Sequence, residues 1–455
     1  MSGVTDPASQ PAAAKQRGKM VNSFDPATLG SLSERTRTQI ERRQRLLGPA
    51  YRLFYGNPVE IVRGRGVHLY DAAGNEYLDA YNNVASVGHT HPRVVAAVNE
   101  QMQTLCTHTR YLHDGILNYA DDLLPTLGGG LEHLMLTCTG SEANDLALRI
   151  AKHHTGNKGI IITSEAYHGN SDLTAGLSPS LGEFSPLGTW VRRVPSPDSY
   201  RVDPEHMGRW LAAHVAEQIA DLQRRGEGVA AFIADSLFSS DGIYADPTNL
   251  LGPVADVVRA AGGLFIADEV QSGFGRSGDK LWGFQRHAIE PDIVTMGKPM
   301  GNGFPVAGVA LKADVIRSFG QDTRYFNTFG GNTVAVAAAQ ATFNVVRDEG
   351  LMANAQKVGR FIQDGMRELA RTHECIGDVR GAGLYVGVEL VTDRAAKTPD
   401  SKTALAAVNG LRERRVLISA TGFNANILKI RPPLVFSEGD ATRLIAELDA
   451  VLKAL

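Results

Sequence analysis

A lysine that follows an apolar strand is chemically conspicuous. Lys298 ends the run "DIVTMGK", residues 292–298, and is followed by Pro299, Gly301 and Gly303. Apolar surroundings disfavour the ammonium form and lower the amine's pKa, which an imine-forming, proton-carrying lysine requires. A structural lysine that snorkels to solvent fits the same run. Three other strand-end segments carry unusual polar residues. In "FIADEVQSGFGRSG", residues 265–278, Asp268 and Glu269 close a very apolar strand, where a carboxylate is costly unless paired or hydrogen-bonded. Beside a heteroaromatic nitrogen, such an Asp keeps that nitrogen protonated and makes the ring an electron sink. In "CTGSEAND", residues 138–145, Gly140 allows close backbone approach and Ser141 offers a hydroxyl at a helix start. The free N–H groups and dipole there favour an anion, phosphate being the natural one. A capping box of Thr139 and Glu142 accounts for part of the same pattern without a ligand. In "EAYHG", residues 165–169, Tyr167 and His168 occupy a turn where the phenol could stack on a flat ring. A plain surface turn is the alternative.

Two patterns mislead. Gly273, Gly275 and Gly278 spell G-x-G-x-x-G, but a dinucleotide fingerprint opens a helix directly and here "DKLWGFQRH" follows. His89 and His91 in "GHTHP" stand two apart, with no Cys or acidic partner spaced to complete a site, so no metal is expected.

The elements that must position these residues follow from periodicity. The apolar runs "HLMLTCT", "GIIITS", "AAFIADS", "GLFIADEV", "DIVTMGK" and "VAGVALK" alternate with helical segments. That pattern is an α/β fold with a mostly parallel sheet covered on both faces. Ala143, Leu146, Ala147, Ile150 and Ala151 form one buried helical stripe. In an open α/β sheet the ligand crevice lies at the carboxyl ends of the strands, where all four loops fall. Residues 1–30 read as a disordered tail. Residues 31–83 hold a polar lead-in helix and the strands "VEIVRGRGVHLYD" and "EYLDAY", with Gly74 and Asn75 turning between them. Residues 84–335 form the large domain. Residues 336–455 form a smaller α+β domain that packs with the N-terminal strands, opens on an Ala/Val-rich helix and ends in a helix capped by Ser437 and Asp440.

Composition excludes other classes. A net charge of -3 over 455 residues recruits neither nucleic acid nor an anionic membrane, and no apolar run is long enough to span a bilayer. The N-terminus lacks the apolar core of a secretory signal. Cys106, Cys138 and Cys375 are far apart, which suits a reducing cytoplasm.

Together the loops resemble the class III (fold-type I) pyridoxal-phosphate-dependent aminotransferases, from about residue 50 to the end. The most specific match is "FIADEVQSGFGRSG" followed by "PDIVTMGKPMGNG". "NNVASVGHTHP", "TRYLHDGILNYA", "GSEANDLALRIA" and "LKIRPPLVFSEGDA" are similar to the branch of alanine–glyoxylate aminotransferase 2-like proteins and ethanolamine-phosphate phospho-lyases. The resemblance implies a seven-stranded sheet and pyridoxal 5'-phosphate carried as a Schiff base on Lys298. It implies that Asp268 pairs with the pyridinium nitrogen and that Gln271 lies near the phenolic oxygen. It further implies that Gly140 and Ser141 hold the phosphate, with Tyr167 stacked on the ring and His168 beside it. Asp235 stands at a cofactor-contacting position where many relatives carry Glu. Thr328, in "NTFGGN", is expected to reach the phosphate of a neighbouring subunit, which implies a homodimer with shared sites, or a tetramer.

The expected activity is a ping-pong amine:2-oxo-acid transaminase acting on a small amine and an acceptor such as pyruvate. Arg431 and Lys429 are candidates for the substrate's anionic group. The alternative is a lyase that eliminates phosphate or another β-leaving group from a small phosphorylated amine with the same Lys298 and Asp268. "DSLFSSDGIYADP" departs from the phospho-lyase pattern.

Overall fold

The computed structural model describes residues 20–455. Most of the expected tail lies outside the described residues, but its last part is ordered. Ser23 bridges Phe54, and Asp25 caps a 3-10 turn at Pro26–Ser31 by accepting from the Ala27 amide. The capping carboxylate and a proline at the first position are what set that turn.

Three short antiparallel strands follow the lead-in helix Glu34–Leu47: β1 (Ile61–Arg65), β2 (His68–Asp71) and β3 (Glu76–Asp79). The single strand expected over "VEIVRGRGVHLYD" is thus two, broken at Gly66. The central strands are β4 (Leu131–Thr137), β5 (Gly159–Thr163), β6 (Val191–Val194), β7 (Val229–Asp235), β8 (Leu264–Asp268), β9 (Ile293–Met296) and β10 (Ala307–Lys312). They form one seven-stranded sheet in the order β4-β10-β9-β8-β7-β5-β6. Only β10 opposes its neighbours, β4 and β9; the rest pair in parallel. This is the expected α/β fold with its mostly parallel sheet.

Strand β6, "VRRV", escapes an apolar-run criterion because it lies at the sheet edge. Its two valines are buried, while Arg192 reaches Asp221 at 2.6 Å. The inner strands are covered on both faces. Phe232, Ala234, Phe265 and Ala267 pack with Leu211, Val215 and Val254 on one side. Ala231, Ile233, Leu264 and Ile266 pack with Leu146, Ala147 and Ile150 on the other. That alternation explains why these strands read as unbroken apolar runs.

The last strands are β11 (Ile376–Ala382), β12 (Tyr385–Asp393), β13 (Thr398–Pro399), β14 (Val416–Leu417), β15 (Ser419–Thr421) and β16 (Ile427–Ile430). β11, β12, β16 and β15 form a sheet in that order, with β13 on β12. The run "VLISA" divides: β14 joins β3 in parallel, and β15 joins β16. One apolar cluster therefore spans Leu78, Val416, Leu428 and Leu444. The final helix, Glu438–Ala454, carries the reciprocal cap between Ser437 and Asp440.

The glycines that mimic a dinucleotide loop have a packing role. A Cβ at Gly275 would meet Met352 Cγ at 2.6 Å, and one at Gly278 would meet the Gln356 backbone N at 2.5 Å. They let the segment after β8 press against the helix Leu351–Thr372, joining the central sheet to the C-terminal part.

Candidate active site

Register brings the chemistry together. Asp235 ends β7 beside Asp268 at the end of β8, and Asp268 is opposite Thr295 on β9. Two residues past β9, Lys298 opens a 3-10 turn, Lys298–Gly301, with a backbone φ of 24°. That conformation is sparsely populated for a side-chain-bearing residue and is held here by the packed turn around it. The result is a cavity of about 170 Å³ at the strand ends. Its walls include Gly140, Ser141, Tyr167, His168, Asp235, Asp268, Gln271 and Lys298. Of the residues singled out from sequence, Thr328, Lys429 and Arg431 do not line it. Thr328 is exposed, and the two basic residues lie behind Gln271 and Asp235, as described below.

Asp268 is buried, and both of its oxygens accept hydrogen bonds. Its Oδ2 accepts from Asn144 Nδ2 at 2.8 Å and pairs with His168 Nδ1 at 2.7 Å, and its Oδ1 accepts from the Val270 amide at 3.1 Å. Burial alone pushes the carboxyl up, but His168, the Val270 amide and Asn144 together hold it below the usual range. Asn144 is a residue that pattern reading passes over. It sits on the buried face of the helix Gly140–Thr155, donates also to the His168 carbonyl at 2.8 Å, and accepts from Thr295 Oγ1 at 2.6 Å. A buried Asn inside an apolar helical stripe is the signal that could have marked it, since such a group needs partners.

Lys298 is half-buried, with its Nζ 6.0 Å from the Tyr167 ring centre. Burial and the Arg431 charge lower its amine to about 8, against the opposing pull of Asp268 and Asp235. Asp235 accepts from the amides of Leu237 at 3.0 Å and Ser239 at 3.1 Å. Burial nonetheless raises its pKa, and the neighbouring Asp268 adds to the rise. Glu269 points elsewhere: it accepts from Ser236, Ser272 and the amides of Gly283 and Phe284, and burial pushes it up to about 7.

The helix start at Gly140 carries the capping box, with Thr139 and Glu142 bonded reciprocally. Glu142 takes the Cys138 and Thr139 amides, and Thr139 takes the Glu142 amide. The amides of Gly140 and Ser141 lie between these, on a first turn that has no carbonyl of its own to offer them. A Cβ at Gly140 would meet Val270 Cγ1 at 2.8 Å, so only glycine lets the helix start sit this close to the β8 loop. Capping and anion binding are therefore compatible at this turn.

Behind Gln271 lies a basic cluster. Arg431 Nη1 donates to Gln271 Oε1, and its Cζ is 4.5 Å from the Tyr81 ring centre. Lys429 Nζ donates to the Ser239 carbonyl at 3.3 Å, and burial together with Arg431 holds its amine well below the ordinary value. Arg276 bonds the carbonyls of Leu384 and Pro432, and burial and Arg431 bring it down to about 9. Arg276, Tyr81 and Tyr385 were not legible as site residues, because three different sheets supply them. His89 and His91 are engaged by carboxylates: His89 Nε2 is 2.6 Å from Asp79 and His91 Nε2 is 3.3 Å from Glu349.

A carbon acid bound in this cavity would meet an amine able to take its proton, opposite a carboxylate that stays ionised. The comparisons agree with that chemistry. The class-III aminotransferase model matches residues 54–452. Ethanolamine-phosphate phospho-lyase homolog 1 of Caenorhabditis elegans is 40% identical over 451 residues, 94% of this chain and 96% of that protein. An alanine–glyoxylate aminotransferase 2-like protein of Drosophila melanogaster is 41% identical over 431 residues, 91% of this chain and 87% of the relative. A solved phospholyase from Arthrobacter, in complex with phosphoethanolamine, superposes with a TM-score of 0.88 at 43% identity, covering 92% of this chain and 100% of that one. The chain belongs to the class-III aminotransferase family.

Proposed function

We propose that this chain is a pyridoxal-phosphate-dependent transaminase that moves the amino group of a small primary amine or amino acid to a 2-oxo acid such as pyruvate, in ping-pong half-reactions. The observation that carries the reading is one cavity with Lys298 and Asp268 on its walls, each biased to the protonation state the chemistry needs. The residues present suit the coenzyme. The Gly140 and Ser141 amides would hold its phosphate at the helix start, and Tyr167 would cover its ring. His168 Nε2 is buried with no partner among the described residues, an atom left for a ligand. Pyridoxal phosphate, when bound, supplies a ring that withdraws electrons from the substrate's α-carbon. Asp268 keeps the ring nitrogen protonated. Lys298 Nζ, with its lowered pKa, takes the proton from the α-carbon. The positive charge of Lys429 and Arg431, just behind the cavity, would attract the substrate's anionic group.

A second reading, elimination of phosphate from a small phosphorylated amine, is favoured by one feature. Arg276, Lys429 and Arg431 bring three buried basic side chains together, and Asp235 is the carboxylate acting on Lys429. That charge suits a dianion better than a carboxylate, and two of the relatives are phospho-lyases by name. Phosphoethanolamine with and without pyruvate separates the readings. Transamination consumes pyruvate and leaves phosphate bound to carbon, whereas phosphate and ammonia released without pyruvate would overturn it.

The reading includes a homodimer. Thr328 is exposed, two residues from Phe326, whose ring meets His108 edge-on; His108 in turn stacks on Tyr111, and the next residue, Leu112, is fully exposed. Such an apolar face supports a second copy covering it, with Thr328 reaching that copy's phosphate site. No described helix is long and apolar enough to cross a membrane. Three free cysteines fit a reducing compartment.

A further inference from the structure

Gln271 follows β8 by three residues and lines the cavity beside Lys298. Its amide has one end that accepts and one that donates, nearly equal in shape. The neighbour behind it decides which end faces the cavity. That neighbour is Arg431, whose Nη1 donates to Gln271 Oε1. A guanidinium has donors only, so the amide can meet it with its oxygen alone. Tyr385 Oη lies 3.5 Å from the same oxygen. Arg431 is held in turn by the Tyr81 ring and by its own amide, which donates to the Ala80 carbonyl at 2.9 Å. Arg276 ties down both flanks by bonding the carbonyls of Leu384, next to Tyr385, and Pro432, next to Arg431. Gln271 Nε2, with two N–H donors, is left for the cavity.

We propose that Arg431 is a positioning residue that locks the Gln271 amide with its NH2 toward the cavity, so that the site donates a hydrogen bond to an anionic oxygen of the bound ring. This rests on the reading of the cavity as a pyridoxal-phosphate site. It adds a task for Arg431 distinct from holding a substrate anion. An acceptor at that point would repel the ring's oxygen; a donor stabilises its charge. The groups facing that point are Asp235, Asp268, Lys298 and Tyr167, with Lys429, Arg431 and Tyr385 behind Gln271.

The test is a pH titration of the visible absorbance band of the purified holoenzyme. A band that Lys298→Ala abolishes supports the cavity reading, and its absence in the parent protein overturns that reading and this inference with it. Given the band, Arg431→Met and Gln271→Leu should each raise its titration midpoint by about one pH unit, a tenfold change. The double variant should shift no further than either single one, because both remove one contact. Arg431→Lys keeps a donor and should restore most of the parent midpoint. Additive shifts would mean that Arg431 acts by its charge alone. That result, or an Arg431→Met protein titrating like its parent, overturns the positioning role and leaves the cavity reading intact.

Discussion

The Asp268 wall of the cavity and the basic layer behind Gln271, here called the cation wall, are built on opposite terms. On the Asp268 wall the polar groups satisfy one another: Thr295 donates to Asn144, Asn144 to Asp268 and to the His168 carbonyl, and His168 pairs with Asp268. The carboxylate is charged before any ligand arrives. On the cation wall, Arg431 Nε and Arg276 Nη2 are buried without a partner among the described residues, and Lys429 bonds a neutral carbonyl at 3.3 Å, with Asp235 the carboxylate that acts on it. Buried unpaired charge is costly, and an incoming anion would offset that cost. On the proposed reading, the first wall sets the electronics of the reaction whatever the substrate. The second gains most from a substrate that brings negative charge.

The contrast can be broken at both ends. Lys298→Ala removes the proton carrier and should lower turnover by about 10⁴-fold, read with any accepted amine and together with loss of the visible band. Residual turnover near the parent's would end the assignment. Asp268→Asn preserves shape but not charge. It should cost about 10²–10³-fold in kcat for every amine alike, since this wall does not read the substrate. On the opposite wall, Lys429→Met should raise KM about tenfold for an anionic amine and leave an uncharged amine unaffected. It should not lower the urea midpoint, because it removes a poorly paired buried ammonium. If both amines suffer equally, the division between the walls is wrong.

Two smaller effects sharpen it. Asn144→Ala leaves Thr295 and the His168 carbonyl without their partner and should destabilise the fold by about 1–3 kcal/mol in urea titration. Its acid limb should also move to higher pH. Asp268's depressed pKa contributes stability above the unfolded value that is lost as pH falls through the folded one, and losing a donor narrows that window. Lys298 titrates at higher pH and is read by coenzyme uptake instead. With its pKa lowered to about 8, the free amine grows tenfold per unit up to that pH and then levels. Coenzyme uptake by the apoprotein, which needs the neutral amine, should follow the same curve. A midpoint near the ordinary lysine value would show that neither burial nor Arg431 acts on Lys298.

Much of this was legible along the chain. Lys298, Asp268, Gly140, Ser141, Tyr167, His168, Gln271 and Asp235 all fall where short apolar runs end, and those ends meet on one rim. The edge strand "VRRV" was not legible, because two arginines, tolerated at the sheet edge, separate its two buried valines. Nor was the break at Gly66, where one apparent strand becomes two. Asn144 hid within the apolar stripe of its own helix, because its importance lies in residues 24 and 124 positions away.

What the amino-acid order determined by itself is local. Unbroken apolar runs make buried parallel strands, glycine and serine open a helix, and a lysine follows a strand, each readable within a dozen residues. The tertiary structure alone decided which polar groups face each other. Asp268 is held charged by a helix and a loop far from it in sequence. Arg431, Lys429 and Arg276 converge because a C-terminal sheet folds back onto the ends of the central one. Hydrogen-bond partnership and electrostatic coupling act over a few ångströms in space, and no spacing along the chain encodes them.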